Sequence, residues 1–382
     1  MDRSQHQNEL FITCSNGIEP LLVEELAEMG FTETVAGYRG VYVVVHGFEA
    51  VYKINYRSRL ASRVLLPLVR FKCYDRKTLY KYADSINWLD YIPPGKTFAI
   101  DANVSHRMLT NSLFAAQVVK DAICDQFRER TGQRPNVDVK DPDVQLNLFI
   151  HDEKAVISFD TSGMPLYKRG YRLETVEAPV QESLAAAMLR LGRYQGTEQL
   201  FDPCCGSGTL LIEAALIASK TPPGYLRKEW GFRYLPGFSQ AEWLRVKAEA
   251  DRERVVLTPG LICGIDINKN AARISKGNLR AAGFHQSVEA SYGDFRDYTP
   301  EPLPNFIIAN PPHGVRLEEE DQLRPLYRAL GDFMKRKAAK PARGFVFTSS
   351  GELAKEVGLA AKRRYVLDSG GLEARLLEYD LY

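Results

Sequence analysis

The spacing of apolar and polar positions changes character twice along the chain. After a polar N-terminal stretch expected to fray, Leu10–Cys14 reads as a strand and Ile18–Met29 as a helix. In that helix Pro20 sits in the first turn, Leu21, Leu22 and Leu26 share a face, and Gly30 stops it. Val41–Val45, short and β-branched, is a second strand. Lengths this short suit a ferredoxin-like α+β module better than a doubly wound sheet. A second α+β region follows, with a strand at Thr97–Asp101 and a helix over Leu113–Arg130 on the spacing of Ala116, Val119, Ile123 and Phe127. Val144–Ile150 alternates, and Ala155–Phe159 completes a hairpin across Asp152-Glu153.

From about residue 180 strands alternate with helices, the signature of an α/β sheet. Leu200-Phe201 leads through a glycine turn into a helix over Thr209–Ser219. Leu261–Ile267 is followed by a helix over Lys269–Ala282, and Ser287–Tyr292, Phe306–Ala309 and Gly344–Thr348 are further strands. The end differs: Tyr365–Leu367, the turn Asp368-Ser369-Gly370-Gly371 and Ala374–Tyr382 predict an antiparallel hairpin closing a parallel sheet.

Composition narrows the class. The chain has 382 residues, 45% apolar and 26% charged, with a net charge of only +2. That length fits two or three domains with real cores, and any affinity for nucleic acid must come from local patches. No apolar run approaches the roughly 18 residues of a spanning helix, and no apolar leader is present. Six scattered cysteines without a CxxC pair predict neither a disulfide scaffold nor a metal site, and point to the cytoplasm.

The densest chemistry is Asp202-Pro203-Cys204-Cys205-Gly206-Ser207-Gly208-Thr209, where a strand ends, turns on glycines and enters a helix whose free N–H groups face outward. It is not a dinucleotide fingerprint, because Leu211 holds the third glycine's place, and no Lys-Ser/Thr pair makes it a phosphate loop. An acid before the turn suits a cationic ligand. Asp266, ending the next strand, can accept both hydroxyls of a ribose, with Asn268 beside it as a helix cap. Asp294-Phe295, ending the third, can meet an adenine amine and pack on the base. The fourth strand ends in Asn310-Pro311-Pro312-His313. The prolines remove two N–H donors, leaving carbonyl oxygen and the Asn310 amide, acceptors suited to an exocyclic –NH2. His313 can stack on a flat base.

These motifs resemble those of class I S-adenosylmethionine-dependent amino-methyltransferases. The whole chain from about Glu9 resembles the THUMP-containing guanine-N2 RNA methyltransferases typified by the bacterial 23S rRNA enzyme. Further marks are Ser105-His106-Arg107-Met108, Val118–Ile123, Lys168-Arg169-Gly170-Tyr171-Arg172, Ala178-Pro179, Leu184–Ala187, Trp230-Gly231-Phe232 and Trp243. The resemblance implies a ferredoxin-like module (1–65), a THUMP RNA-binding domain (66–165), a linker (166–180) and a Rossmann-like methyltransferase domain (181–382). It implies S-adenosylmethionine held by Asp202, Cys204, Gly206, Ser207, Gly208, Thr209, Asp266, Ile267, Asp294, Phe295 and Asn310, and catalysis by Asn310, Pro311, Pro312 and His313. The family's Asn-Pro-Pro-Tyr-Gly-Glu-Arg is here Asn-Pro-Pro-His-Gly-Val-Arg, so His313 and Val315 depart from it. Long relatives carry a second methyltransferase domain beyond this point, so a chain ending at Tyr382 is expected to perform one methylation. Rival readings are an adenine-N6 methylase on DNA or RNA, a tRNA guanine-N2 methyltransferase, and a non-catalytic RNA-binding assembly factor.

RNA contact is expected from residues 53–82, which hold nine Lys/Arg and one acid, Asp75, with Tyr56, Phe71, Tyr74, Tyr80 and Tyr82 interleaved. Arg63, Arg70, Lys72 and Lys77 lie in this patch, and Arg107, Lys168, Arg169 and Arg172 are further candidates. The expected partner is 23S rRNA or a ribosome assembly intermediate, with no membrane and no metal.

Overall fold

The computed structural model describes residues 9–177, 179–313 and 317–382. Ala178, Gly314, Val315 and the N-terminal stretch expected to fray lie outside them. The chain forms two compact units: one comprises the chain up to Cys14, Leu22–Leu166 and Arg227–Glu249; the other comprises Ser15–Leu21, Tyr167–Leu226 and Ala250–Tyr382.

The first unit holds a seven-stranded sheet. Its strands are β1 (Glu9–Thr13), β2 (Thr34–Gly37), β3 (Gly40–Val44), β4 (Arg63–Lys72), β5 (Phe98–Ser105), β6 (Val144–His151) and β7 (Lys154–Asp160), in the order β2-β3-β1-β4-β7-β6-β5. Strands β1 to β4 with the helices Glu19–Glu28 and Glu49–Arg57 make a β-α-β-β-α-β ferredoxin-like motif. Strand β4 joins the halves: Arg63–Leu65 pair with β1, and the strand pairs with β7 from Leu65 onward. Its register slips between Pro67 and Val69, the place for a residue with no N–H to give a ladder. The helix Ser112–Thr131 is capped by the Asn111 side chain and stopped by Gly132 at φ +74°. The β6–β7 hairpin turns at Asp152, with φ +51°.

Residues Arg227–Glu249 belong to this unit, although they lie within the span expected to be wholly catalytic. Trp230, Phe232 and Trp243 pack against Tyr52 and Tyr56 of the helix Glu49–Arg57, with ring centroids 5.0 Å apart for Tyr52–Phe232 and 5.4 Å for Tyr56–Trp243. All five rings are buried.

The second unit holds β8 (Leu200–Asp202), β9 (Ile262–Asp266), β10 (Val288–Tyr292), β11 (Phe306–Ala309), β12 (Ala342–Thr348), β13 (Arg363–Ser369) and β14 (Leu372–Leu381), in the order β10-β9-β8-β11-β12-β14-β13. Neighbours are parallel except β14, which runs against both β12 and β13. The chain builds outward from β8 through β9 and β10, then returns to place β11 on the other side of β8. That reversal makes a switch point, where such sheets bind ligands beyond the strands' carboxyl ends. One core beneath it gathers Phe201, Ile307, Tyr327, Phe333, Val346 and Leu377.

Among the described residues no helix is long and apolar enough to cross a membrane. No group of three or more His, Cys, Asp or Glu among them is placed to hold a metal ion.

Candidate active site

The site starts at the end of β8. Asp202 is only 1% exposed, and its Oδ1 accepts the Cys204 N–H at 3.0 Å. Burial pushes its carboxyl up to about 8, and the neighbouring Asp266 adds to the rise. The backbone then turns through Gly206 at φ +53° and Gly208 at φ +83°. A Cβ at Gly208 would stand 2.4 Å from the Ser275 Oγ, so both conformation and space demand glycine there. The place of a third fingerprint glycine is taken from across the contact: a Cβ at Gly264 on β9 would meet Leu211 at 2.8 Å.

Asp266, at the end of β9, ties the first two strand tips together. One carboxylate oxygen accepts the Gly206 N–H at 2.8 Å and the other accepts the Asn268 N–H at 2.8 Å. Each oxygen has a second lone pair for a ligand hydroxyl. Asn268 caps the following helix, accepting from Asn270 and Ala271.

Arg172 acts from behind the turn. Its guanidinium donates to Ser207 Oγ (3.2 Å), Thr209 Oγ1 (2.9 Å), the Val180 carbonyl (3.0 Å) and Glu182 (2.9 Å). This corrects the expected RNA contact at Arg172, whose guanidinium is held inside the unit; the buried Ser207 and Thr209 accept from it with their hydroxyl oxygens. Arg169 is corrected too: it is 1% exposed and lies 3.5 Å from the buried Glu213, which also accepts from the Tyr171 hydroxyl at 2.9 Å. Asn278, unnoticed in the sequence, holds the turn from a third side, donating to the Ser207 and Glu174 carbonyls at 3.0 Å.

At the third tip the carboxylate of Asp294 is clasped by Arg296, which holds it below the usual carboxylate range. The Phe295 ring turns into the core. It is 5% exposed and meets Phe333 edge-on at 5.7 Å in the core. The apolar side chain that does stand free is Ile267, 63% exposed, directly after Asp266. Cys204 is half-buried.

The fourth tip carries the clearest sign of a missing partner. Asn310 Oδ1 and His313 Nδ1 are both shielded from water, and neither has a hydrogen-bond partner among the described residues. An unpaired buried polar group costs about 1–3 kcal/mol, and this short turn holds two of them. Burial pushes the His313 pKa down, so the ring is neutral at pH 7. The ring lies edge-on to Phe347 at 5.7 Å. The buried Tyr327 hydroxyl is 3.2 Å from the Pro312 carbonyl, to which it donates, and 3.0 Å from the Thr348 hydroxyl. Removing that hydroxyl should loosen the turn without touching the glycine loop. For Y327F we expect kcat to fall about 2–10-fold, the equivalent of one hydrogen bond of ~0.5–1.5 kcal/mol, with cofactor affinity measured by calorimetry unchanged.

The basic patch is divided between structural and exposed residues. Arg63 pairs with the buried Asp160 and Arg70 with Glu9. Tyr56 and Phe71 are buried, Phe71 stacking on Tyr82 at 4.4 Å, and Tyr80 donates to Asp125. Lys72, Lys77, Arg107 and Lys168 remain exposed.

A parallel sheet with this strand order, one reversed strand and an acid-tipped glycine turn at its switch point defines a class I methyltransferase. Three family models tile the chain: the RlmL ferredoxin-like domain over residues 9–65, the THUMP domain over 73–160 and the RMKL-like methyltransferase domain over 169–376. Ribosomal RNA large subunit methyltransferase K/L of Syntrophotalea carbinolica is 39% identical, the match covering 98% of this chain and 53% of that protein. A Synechocystis protein described as an RNA methyltransferase, slr0064, is 33% identical over 97% of this chain and 96% of its own length. Among solved structures SMU.472, described as a methyltransferase and complexed with SAH, superimposes with a TM-score of 0.86 at 26% identity over 98% of both chains. The chain belongs to the RMKL-like methyltransferase family. It spans about half the length of the K/L relatives it matches.

Proposed function

We propose that this chain transfers a methyl group from S-adenosylmethionine to the exocyclic N2 amine of a guanine in RNA, with 23S rRNA as the substrate and the cytoplasm as its place of action. The names of the K/L relatives, the THUMP domain and the SAH-bound neighbour support the substrate and the cofactor. The observation that carries the chemistry is the unpartnered Asn310 Oδ1 at the tip of β11, the strand next to β8 with its acid-tipped turn.

The residues present fit the cofactor. Asp202 offers a buried carboxyl to a cation, Asp266 offers acceptors to ribose hydroxyls, Ile267 offers an apolar surface to a base, and Asp294 remains an acceptor for its amine. The glycine turn contributes backbone N–H groups. Bound there, the cofactor supplies an electrophilic methyl group on a sulfonium.

The rest falls to the Asn-Pro-Pro-His turn. A guanine N2 lone pair is delocalised into the ring and is a poor nucleophile. Accepting its two hydrogens at Asn310 Oδ1 and the Pro311 carbonyl draws the nitrogen toward a tetrahedral geometry, and its lone pair turns out of the ring plane. Pro311 and Pro312 fix the turn, so positioning and fixed dipoles supply most of the rate gain. His313 Nδ1, neutral and unpartnered, is a base of the same turn that can take the proton the amine loses, while the ring's apolar faces suit the purine. Incubation of 23S rRNA with the protein and labelled S-adenosylmethionine should yield N2-methylguanosine on nucleoside analysis; N6-methyladenosine, or no label, would refute the proposal.

Asp202 gives this reading a pH signature. Its folded pKa of about 8 lies above the unfolded value near 3.9. The ligand-free folded state therefore binds the extra proton, and its stability falls as pH rises from about 4 to 8. A cation is best held by the ionised carboxylate, so affinity for S-adenosylmethionine should rise over the same interval and level off above pH 8. Calorimetric titration at several pH values checks this, and D202N should flatten both trends.

A further inference from the structure

The second unit contains a cavity that the catalytic reading does not use. It measures about 550 Å³, within the roughly 300–1,000 Å³ of small-ligand sites. Its walls come from the end of β12, the segment after it and the face of β13 and β14. Three hydroxyl residues line one side: Ser349 is exposed, while Thr348 Oγ1 accepts the Ser350 N–H and Ser350 Oγ accepts the Leu353 N–H; three cations, Lys355, Arg364 and Arg375, line others. One acid, Glu352, is also in the wall and pairs with Lys355 at 2.6 Å, while Arg375 pairs with Glu373 at 2.8 Å. These pairs are exposed, and such pairs are weak and readily exchanged for a better anion. Arg364 stands exposed, opposite Leu377 in the β13–β14 ladder.

Its place in the fold is what gives the cavity meaning. Strands β11 and β12 are parallel neighbours in register, Ala309 opposite Val346, so Thr348 closes β12 on the same sheet edge where Asn310 follows β11. The Tyr327 hydroxyl bridges the two strand ends, touching Thr348 Oγ1 and the carbonyl of Pro312, two residues beyond Asn310. A strand of nucleic acid that delivers a base to Asn310 has a neighbouring nucleotide to accommodate. The adjoining space offers the exposed Ser349 hydroxyl for its sugar and guanidinium groups for its phosphate.

We propose that this cavity is the subsite for the nucleotide next to the target guanine in the RNA strand, with Arg364 and Arg375 receiving its phosphodiester and the exposed Ser349 its ribose. The inference rests on the proposed RNA methylation. It moves the principal RNA contact of the catalytic unit away from Arg169 and Arg172, which are engaged in structure, to a site assembled from residues distant in sequence.

The test uses the full chain and 23S rRNA, measuring RNA binding by filter retention at several salt concentrations, methyl transfer, and S-adenosylhomocysteine binding by calorimetry. R364E and the double variant R364E/R375E should raise KM for RNA about tenfold or more and reduce the slope of log K against log salt by roughly one for each phosphate no longer held. Affinity for S-adenosylhomocysteine and the melting temperature should stay at wild-type values. R364K, which keeps the charge, should restore much of the RNA affinity. Wild-type KM and salt slope in R364E/R375E would overturn the subsite while leaving RNA methylation standing. A wild-type chain that neither binds nor methylates the RNA would overturn both.

Discussion

Asn310→Ala should leave a protein that folds, binds S-adenosylmethionine nearly as well as wild type and scarcely turns over. The side chain's oxygen has no partner among the described residues, so its removal breaks no hydrogen bond of the fold. What disappears is the acceptor that polarises the amine. Deleting one fixed dipole aimed at a reacting centre typically costs about 10²–10³ in kcat, and we expect a reduction at the upper end, because the N2 lone pair depends on this contact to leave conjugation. Affinity for the cofactor, measured by calorimetry, should change by no more than about threefold, since Asp202, Asp266 and the glycine turn are untouched. N310D is the informative companion. It keeps an acceptor oxygen but adds a buried charge, so partial activity recovered at high pH would still support the assigned role, whereas full activity in N310A would remove Asn310 from the chemistry.

Trp243→Ala should be the most damaging single change to the first unit. The indole is buried and meets Tyr52, Tyr56, Trp230 and Phe232 at centroid distances of 5.1–6.1 Å. Replacing a buried Trp by Ala costs about 3–5 kcal/mol, a large share of a domain's net stability. The same packing has a stronger consequence. The first unit draws Arg227–Glu249 from far along the chain, so a fragment ending at residue 166 lacks the cover for Tyr52 and Tyr56. Such a fragment should bind the dye ANS and melt without a sharp transition. A cooperative melt in the fragment, or wild-type stability in W243A, would show that the aromatic cluster is dispensable.

Much of the second unit is legible in the sequence because parallel strands there are short apolar runs ending in a polar residue. Asp202, Asp266 and Asn310 each end or follow such a run, Asp294 follows the alternating edge strand Val288–Tyr292, and the strand–helix alternation places all four at the carboxyl edge. The reversed final hairpin is legible from its paired glycines. Other features depend on contacts that no local pattern encodes. Strand β4 hides inside the basic stretch because the slip at Pro67 breaks its period of two. Phe295 and Ile267 are both apolar residues next to a tip acid, and only packing against Phe333 decides which one faces inward. The basic residues of Lys168–Arg172 look alike in sequence, yet Arg169 and Arg172 face buried carboxyls and hydroxyls while Lys168 stays in solvent. Arg63 and Arg70 are drawn from the expected RNA contact to Asp160 and Glu9, acids 97 and 61 residues away in sequence. The aromatic cluster spans residues 52 to 243, a separation at which nothing but the folded chain reveals the pairing.

The most direct measurement is a crystal structure of the protein soaked with S-adenosylhomocysteine. The ribose hydroxyls should lie on the Asp266 carboxylate, the adenine against Ile267 with its amine at Asp294, and the sulfur between the Asp202 turn and the Asn310 side chain. Density for the ligand anywhere else, or an Asn310 amide tied up by the protein and facing away from the sulfur, would contradict it.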